Sequence, residues 1–145
     1  MTGRILGLDP GERRTGVAVS DPTGTIASPH GFVVADEDQI QSVVGLMREF
    51  GATRVVIGLP FALDGSEGPS ARRSRSLGSA LVDAGVEVEY WDERFTTKTA
   101  EAALIESGMR RKNRKSRRDQ VAAAIMLQGF LDAQRHRNDD DGDDA

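Results

Sequence analysis

Four acidic residues stand where predicted strands end or where the last predicted helix begins. Asp9 directly follows one apolar run, Asp92 and Glu93 follow a later one, and Asp119 opens an amphipathic segment. A carboxylate at the rim of a core costs several kcal/mol, in order of magnitude, unless a cation or several donors offset it. Mg²⁺ and Mn²⁺ prefer oxygen ligands, and two such ions can clamp a phosphodiester. The acids therefore indicate metal-dependent phosphodiester chemistry.

Each acid also has a simpler interpretation. Asp9 fits equally well a turn residue that accepts backbone N–H groups. A helical wheel places Asp119 in the middle of the apolar arc of its helix, but an acid in a first helical turn is also favoured by the helix dipole. Strict alternation puts Asp92 and Glu93 on opposite sides of their strand, and a bulge could exchange them. The pattern leaves that choice open, and either acid could form a surface ion pair.

A strongly basic run precedes Asp119, and we predict a loop there that contacts phosphate. Five aspartates in the last seven residues mask this charge, since without them the formal net charge of −4 becomes +1. Three arginines at the start of an earlier helix, Arg72, Arg73 and Arg75, could extend the same surface. The alternative is a solvated charged face. The run places seven cations in nine positions: Arg110, Arg111, Lys112, Arg114, Lys115, Arg117 and Arg118.

Aromatic residues that could stack on bases are scarce, and two of them, Tyr90 and Trp91, lie in a predicted strand. Recognition of the nucleic-acid backbone is therefore favoured over stacking on single strands. The two histidines, His30 and His136, stand in contexts that do not favour catalysis.

The hydrophobic periodicity predicts an α/β fold of five strands and four helices. Three sequential strands form an antiparallel meander, the third of them (26–35) broken by Pro29 and so suited to a sheet edge. Crossover units then add two parallel strands. The predicted fold is a mixed five-stranded sheet flanked by helices, in the order of the ribonuclease H fold. The later elements are predicted as helix 36–50, strand 54–59, helix 69–84, strand 86–91, helix 96–107 and helix 119–134.

Composition limits the possible classes of protein. A chain of 145 residues is expected to form one domain, with residues 1–136 folded and residues 137–145 as a disordered acidic tail. The absence of cysteine excludes thiol catalysis and cysteine-based zinc sites. The N-terminal apolar run is too short for a signal peptide, and no stretch approaches the ~20 apolar residues of a membrane span. The sequence predicts a cytoplasmic protein that does not associate with membranes.

Four motifs resemble the YqgF/RuvX group of RNase H-like proteins, relatives of the RuvC resolvases. They occur in family order and cover the chain up to about residue 135. The resemblance implies an RNase H-like fold and a site for Mg²⁺ or Mn²⁺ whose acids are Asp9, Asp119 and, by similarity, Glu93 rather than Asp92. The motifs are GLDPGERRTGVAVSD at 7–21, GLP at 58–60 with DGSEGPSA at 64–71, DERFTT at 92–97, and DQVAAAIMLQGFLD at 119–132.

The resemblance also implies the substrate, a nucleic acid. It suggests a nuclease that matures the 5′ end of pre-16S ribosomal RNA, with resolution of branched DNA at Holliday junctions as the competing activity. A nucleic-acid-binding factor without catalysis is a further alternative. An actin-like ATPase is disfavoured, because such enzymes hold ATP between two domains of this kind. The chain could act as a monomer or as a homodimer.

Overall fold

The computed structural model describes the backbone of residues 3–61, 64–93 and 114–143, with the side chains of 121–136 in the last range. The helix predicted over 96–107 lies outside these residues. The described elements are β1 (Arg4–Pro10), β2 (Arg14–Ser20), β3 (Ala27–Val34), α1 (Gln39–Phe50), β4 (Ala52–Leu59), α2 (Pro69–Asp83), β5 (Val88–Asp92) and α3 (Arg114–Asp143).

The strands form one mixed sheet in the order β3-β2-β1-β4-β5, which confirms the predicted fold class. The first three strands pair antiparallel, and β4 pairs parallel with both β1 and β5. Because β1, β4 and β5 run in the same direction, their C-terminal ends meet at one edge of the sheet, here called the carboxyl edge. Asp9 and Asp92 both belong to strands that end at this edge.

The edge strand β3 contains the irregularity that Pro29 predicts. Its register with β2 shifts by one residue, since Val17 pairs with Gly31 whereas Ala18 pairs with Pro29, which leaves His30 as the extra residue. Proline has no N–H to donate to a neighbouring strand, so it is tolerated at an edge or a bulge.

The two faces of the sheet are covered by different helices. Helices α1 and α2 cover one face, here called the aliphatic face, whose buried side chains are large. Helix α3 covers the other, the α3 face, where the strands contribute Ile5, Ala18, Ala27 and Val56. The aliphatic face buries Leu6, Leu8, Val17, Val19, Val33, Val55 and Ile57 against Val43, Leu77 and Leu81.

Close packing of α3 depends on a glycine in the central strand. A Cβ atom at Gly7 would lie only 2.9 Å from the Cβ atom of Leu127. A larger residue at this position would push the helix away from the sheet. The glycine therefore lets the backbone of α3 lie close to β1, the strand that carries Asp9.

Helix α3 is longer than the sequence predicts at both ends. It begins at Arg114 instead of Asp119, so part of the basic run is helical and the prediction of a loop there is wrong for Arg114, Lys115, Arg117 and Arg118. Arginine and lysine are good helix formers, and no proline interrupts residues 114–143. The helical backbone also reaches Asp143, beyond the predicted end at Gln134. The predicted division into a domain and a tail near residue 136 stays a prediction.

None of the helices in the described ranges combines the length and the apolar character needed to cross a bilayer.

Candidate active site

Asp9 is the next-to-last residue of the central strand. Side chains alternate along a strand, and because Ile5 and Gly7 face α3, Asp9 lies on the same face. Its neighbour in the antiparallel ladder is Gly16 of β2. The Pro10-Gly11 turn follows directly, with the Gly11 N–H donating to the Arg14 carbonyl at 3.0 Å. A short, hydrogen-bonded turn thus fixes the strand end that carries the carboxyl group.

Glu93 is the acid that the structure brings to Asp9, and the two carboxyl groups share a hydrogen bond. Glu93 follows β5, and strand β4 lies between β5 and β1. A Cβ atom at Gly58 of β4 would lie 2.6 Å from Glu93 Oε1. The glycine therefore leaves the space through which Glu93 reaches across β4 toward Asp9.

The arrangement at Glu93 follows the strict alternation of β5. Val88 packs with the aliphatic face, whereas Trp91 packs against the α3 side, where its ring meets Phe130 edge-to-face at 6.0 Å between centroids. Glu93, two residues beyond Trp91, continues on the α3 side beside Gly58. Asp92 lies four residues beyond Val88, so the alternation places it on the side of the aliphatic face. The register of β5 with β4 runs without a shift, so no bulge exchanges the two acids.

The electrostatics of this pair favour a positively charged ligand. Burial raises the pKa of the Glu93 carboxyl, the hydrogen bond with Asp9 opposes that rise, and the negative charge of Asp92 adds to it. Two carboxyl groups in hydrogen-bond contact share a proton, because two adjacent negative charges would repel each other. A divalent cation could replace this proton and let both groups ionise.

The donor set fits such a cation but is incomplete in the described residues. Within residues 3–61, 64–93 and the described part of α3, no group of three or more His, Asp or Glu side chains could hold a metal ion. The side chain of the third predicted acid, Asp119, lies outside the described residues. Asp9 and Glu93 supply the carboxylate oxygens that Mg²⁺ and Mn²⁺ prefer.

The position of residue 119 on α3 is defined by the helical backbone. Residue 119 is the sixth residue of α3, which excludes the alternative of an acid in the first helical turn. It precedes Met126 by seven residues, almost two full turns, so both positions share one stripe of the helix. Met126 itself packs at Gly58, where its Cγ atom would lie 3.2 Å from an added Cβ atom.

The three arginines of α2 lie on the helix that begins near the carboxyl edge, and two of them form ion pairs. Arg73 lies 3.8 Å from Glu12 in the β1–β2 turn. Arg75 forms a two-pronged pair with Glu67, at 2.6 and 2.8 Å, and its guanidinium stacks over Tyr90 at 5.4 Å. A single exposed contact such as Arg73–Glu12 contributes little, whereas the two-pronged geometry of Arg75–Glu67 makes a stronger pair. Arg72 is exposed.

The basic run is only partly described. Arg110, Arg111 and Lys112 lie outside the described residues, and for Arg114 and Lys115 the structure gives only a helical backbone. The role of these cations stays a prediction.

Neither Gly58 nor Phe32 is among the site residues predicted from the sequence, although Gly58 belongs to the GLP motif at 58–60. A glycine inside a strand is a recognised sign of close approach by another group, and Gly58 carried that sign. Phe32 lies between Gly31 and Val33 in a strand broken by Pro29, and its pairing with Gly16 shows which face of the sheet it lies on.

Comparison with known proteins gives consistent matches over nearly the whole chain. The model of the RuvX family, described as "Holliday junction resolvase", matches residues 3–133. A protein of Pelotomaculum thermopropionicum named "Putative pre-16S rRNA nuclease" is 41% identical over 135 residues, covering 90% of this chain and 88% of the relative. A protein of the same name from Lactococcus lactis subsp. cremoris is 43% identical over 138 residues, covering 92% and 96%.

Two solved structures share the fold at low sequence identity. Thermus thermophilus RuvC in complex with a Holliday junction substrate superposes with a TM-score of 0.56 at 18% identity, covering 92% of this chain and 96% of that one. The Fowlpox virus resolvase in complex with Holliday junction DNA gives a TM-score of 0.53 at 11% identity, covering 90% and 98%.

Proposed function

The chain belongs to the RuvX family, and from this premise we propose that it is a divalent-metal-dependent endonuclease that matures the 5′ end of pre-16S ribosomal RNA in the cytoplasm. As a member of a nuclease family it is a hydrolase of phosphodiester bonds and acts on nucleic acid. The main observation that supports the proposal is the contact between the Asp9 and Glu93 carboxyl groups at the carboxyl edge.

The proposed catalytic residues are Asp9, Glu93 and Asp119, which would hold Mg²⁺ or Mn²⁺. When bound, such ions stabilise the charge that develops on phosphate oxygens and lower the pKa of a water nucleophile. Asp9 is fixed by the central strand and Glu93 by the strand end beside Gly58. Because both carboxylates are held by strand ends, their positions around a metal ion would stay the same when the substrate binds.

Residue 119 fits the third position because of the direction of α3. Phe130 lies under Arg54, at the start of β4, with 5.6 Å between the guanidinium and the ring centroid. Met126 lies at Gly58, nearer the end of β4. As residue numbers fall, the helix therefore runs toward the carboxyl edge. At 1.5 Å per residue, residue 119 is about 10 Å further along this path than Met126.

Cations would hold the substrate around these acids. The proposed phosphate contacts are Arg72, Arg73 and Arg75 on α2 and the basic run, Arg110, Arg111, Lys112, Arg114 and Lys115. Contacts to phosphate fix the register of a nucleic acid without reading its sequence, and they make binding sensitive to salt.

The choice of ribosomal RNA rests on the names of the relatives, which are about 40% identical over most of their length. Resolution of Holliday junctions is the second candidate, favoured by the description of the family. The two activities differ in symmetry. A junction resolvase cuts two symmetric strands and should be a homodimer, whereas an enzyme that trims one RNA end can act as a monomer.

The test compares cleavage of precursor 16S rRNA with cleavage of a four-way DNA junction, with Mg²⁺, with Mn²⁺ and with a chelator. We expect wild-type protein to cut the precursor RNA only when a metal is present. Asp9→Asn should remove cleavage and leave folding and salt-sensitive RNA binding largely intact.

Three results would contradict parts of this proposal. If Asp9→Asn still cleaves RNA, Asp9 is not a catalytic metal ligand. Preferential, paired cuts in the junction would favour the resolvase activity. Binding of nucleic acid without cleavage under any metal condition would favour a non-catalytic binding factor.

A further inference from the structure

We propose that Phe32, with Arg14 beside it, forms a stacking platform for an unpaired base of the nucleic-acid strand that is being cut. This inference rests on the proposed nuclease function and deepens it. It adds that the substrate is single-stranded close to the cleaved bond. Three features support it: the register of three strands, the exposure of Phe32 and the chemistry of the Arg14–Phe32 pair.

The strand register places Phe32 in the same row of the sheet as Asp9. Gly16 of β2 pairs with Asp9 of β1 on one side and with Phe32 of β3 on the other. Paired residues in neighbouring strands face the same side, so Phe32 lies on the α3 face with the proposed catalytic acid. Gly16 places no side chain between them.

The separation suits adjacent positions of one nucleic-acid strand. Neighbouring strands are about 4.8 Å apart, so the Cα atoms of Asp9 and Phe32 are separated by about 10 Å. Stacked nucleotides rise by about 3.4 Å each, and an extended strand covers more distance per nucleotide. A base on Phe32 would therefore lie within about three nucleotides of the phosphate at Asp9.

Phe32 is also accessible, since its residue is 48% exposed. Among the described residues it is the one exposed phenylalanine, and Val34, two residues on and on the same face, is 55% exposed. Exposure of two large apolar side chains at the carboxyl edge leaves apolar surface that a base can cover. Stacking on an aromatic ring is tolerant of sequence because every base has a flat face.

Arg14 supplies the charge that completes such a site. Its guanidinium carbon lies 5.0 Å from the centroid of the Phe32 ring. A guanidinium over an aromatic ring is a cation–π pair, and its N–H groups can also donate to phosphate oxygens. Together the two side chains offer a stacking surface and a phosphate contact.

A simpler role for the pair is stabilisation of the edge strand, because cross-strand aromatic and charged pairs contribute to sheet stability. That role predicts a change in stability without a change in binding. The two roles are therefore separable by measuring nucleic-acid affinity and the unfolding midpoint of the same variants.

The experiment measures affinity for short single-stranded RNA and DNA of one sequence, and for the duplex of each, in the Asp9→Asn background without metal. Phe32→Ala removes the ring, and Phe32→Tyr keeps it. The matched control is Ile26→Ala, which truncates a 59% exposed residue at the far end of the same β2–β3 hairpin. The fluorescence of 2-aminopurine near the cleaved bond reports stacking directly.

We expect Phe32→Ala to weaken single-strand binding by roughly 5-fold to 150-fold, the range for the loss of one stacked base, and to remove the 2-aminopurine signal. Binding of the duplex should change less, and Phe32→Tyr and Ile26→Ala should behave as the parent does. A similar loss in RNA and DNA identifies the base as the ligand group, since both strands carry it.

Other outcomes would overturn the inference. If Phe32→Ala binds single strands as the parent does, Phe32 is not a platform, even though wild-type protein cleaves RNA and the proposed function stands. If the variant loses stability while affinity per folded molecule is unchanged, the pair only supports the edge strand. If wild-type protein binds no nucleic acid, both the proposed function and this inference are wrong.

Discussion

The two faces of the sheet use side chains of different size for different purposes. The aliphatic face carries Leu, Ile and Val at most inward positions and buries them under α1 and α2. The α3 face carries Ile5 and Val56, but toward the carboxyl edge it has glycines such as Gly7 and Gly58 and the carboxyl groups of Asp9 and Glu93. Large side chains stabilise the first face. On the second, small ones allow a helix and two acids to come close together.

The difference between the faces indicates where the molecule can tolerate change. Replacements on the aliphatic face should lower stability with little direct effect on chemistry. Replacements on the α3 face near the carboxyl edge should lower activity with smaller effects on stability. Three predictions test these two expectations, and a fourth concerns a turn that belongs to neither face.

The largest effect is expected for Glu93→Gln, which keeps the shape of the side chain and removes its charge. Loss of a metal-binding carboxylate should lower the cleavage rate constant by roughly a thousandfold, since metal catalysis supplies several kcal/mol. Asp92→Asn is the matched control, because Asp92 adds its charge to the site while Glu93 contacts Asp9. We expect Asp92→Asn to lower the cleavage rate constant by less than about tenfold. Single-turnover cleavage of precursor RNA measures both, and a reversed order would move the second acid to Asp92.

On the aliphatic face, Leu81→Ala should lower the free energy of unfolding by about 2–5 kcal/mol, because the leucine is fully buried and leaves a cavity. Val82→Ala on the same helix is the control. Its side chain is 56% exposed, so the change should stay within about 0.5 kcal/mol. Urea titration measures both values. At urea concentrations well below the unfolding midpoint, Leu81→Ala should cleave RNA at nearly the wild-type rate. A large loss of activity there would contradict the expectation that this face serves stability alone.

Gly58→Ala should affect activity more than stability. The added methyl group would meet Glu93 Oε1 at 2.6 Å and displace it, and a misplacement of about 1 Å can cost about a hundredfold in rate. Gly45→Ala on α1 is the control, since nothing lies within 4 Å of the added atom. It should raise stability by about 0.5–1 kcal/mol. Unchanged cleavage by Gly58→Ala would contradict this, because it would mean that Glu93 reaches its active position without the space at Gly58.

The smallest effect is expected far from the carboxyl edge, at the β2–β3 turn. Asp21 accepts hydrogen bonds from the Ile26 and Thr25 N–H groups, at 2.9 and 2.7 Å, and from the Thr23 hydroxyl, and these lower its pKa to about 2 from 3.8. A lowered pKa stabilises the fold above the unfolded value of 3.8, and this contribution disappears as pH falls toward about 2. After allowance for solvent screening it is about 1 kcal/mol.

The measurement is stability against pH for wild type and Asp21→Asn. The variant should be less stable at neutral pH and should lose that part of the dependence between about pH 4 and pH 2. An unchanged acid profile would contradict the role of these hydrogen bonds. Cleavage at neutral pH should not change.

The sequence predicted the elements better than their contacts. Buried runs such as Val55–Leu59 and the break at Pro29 are local signals, and both were interpreted correctly. The start of α3 was misjudged because a dense run of cations suggests a solvated loop, although arginine and lysine favour helices. The residue pattern left Asp92 and Glu93 open, because the contact of Glu93 with Asp9 past Gly58 joins separate strands and leaves no local signal. The position of Phe32 in one row with Asp9 likewise depends on the pairing of three strands and leaves no local signal.

The central position of β1 has a consequence for the motions of the molecule. Within the described sheet it is the one strand with an antiparallel neighbour on one side and a parallel neighbour on the other, and helices cover both of its faces. Amide hydrogens of such a strand exchange with deuterium only through openings that approach global unfolding. We therefore expect Asp9 to lie on the slowest-exchanging segment and Phe32 on an edge strand that frays more readily. The chain would hold the cleaved bond on its most rigid segment and adapt to the substrate at its edge.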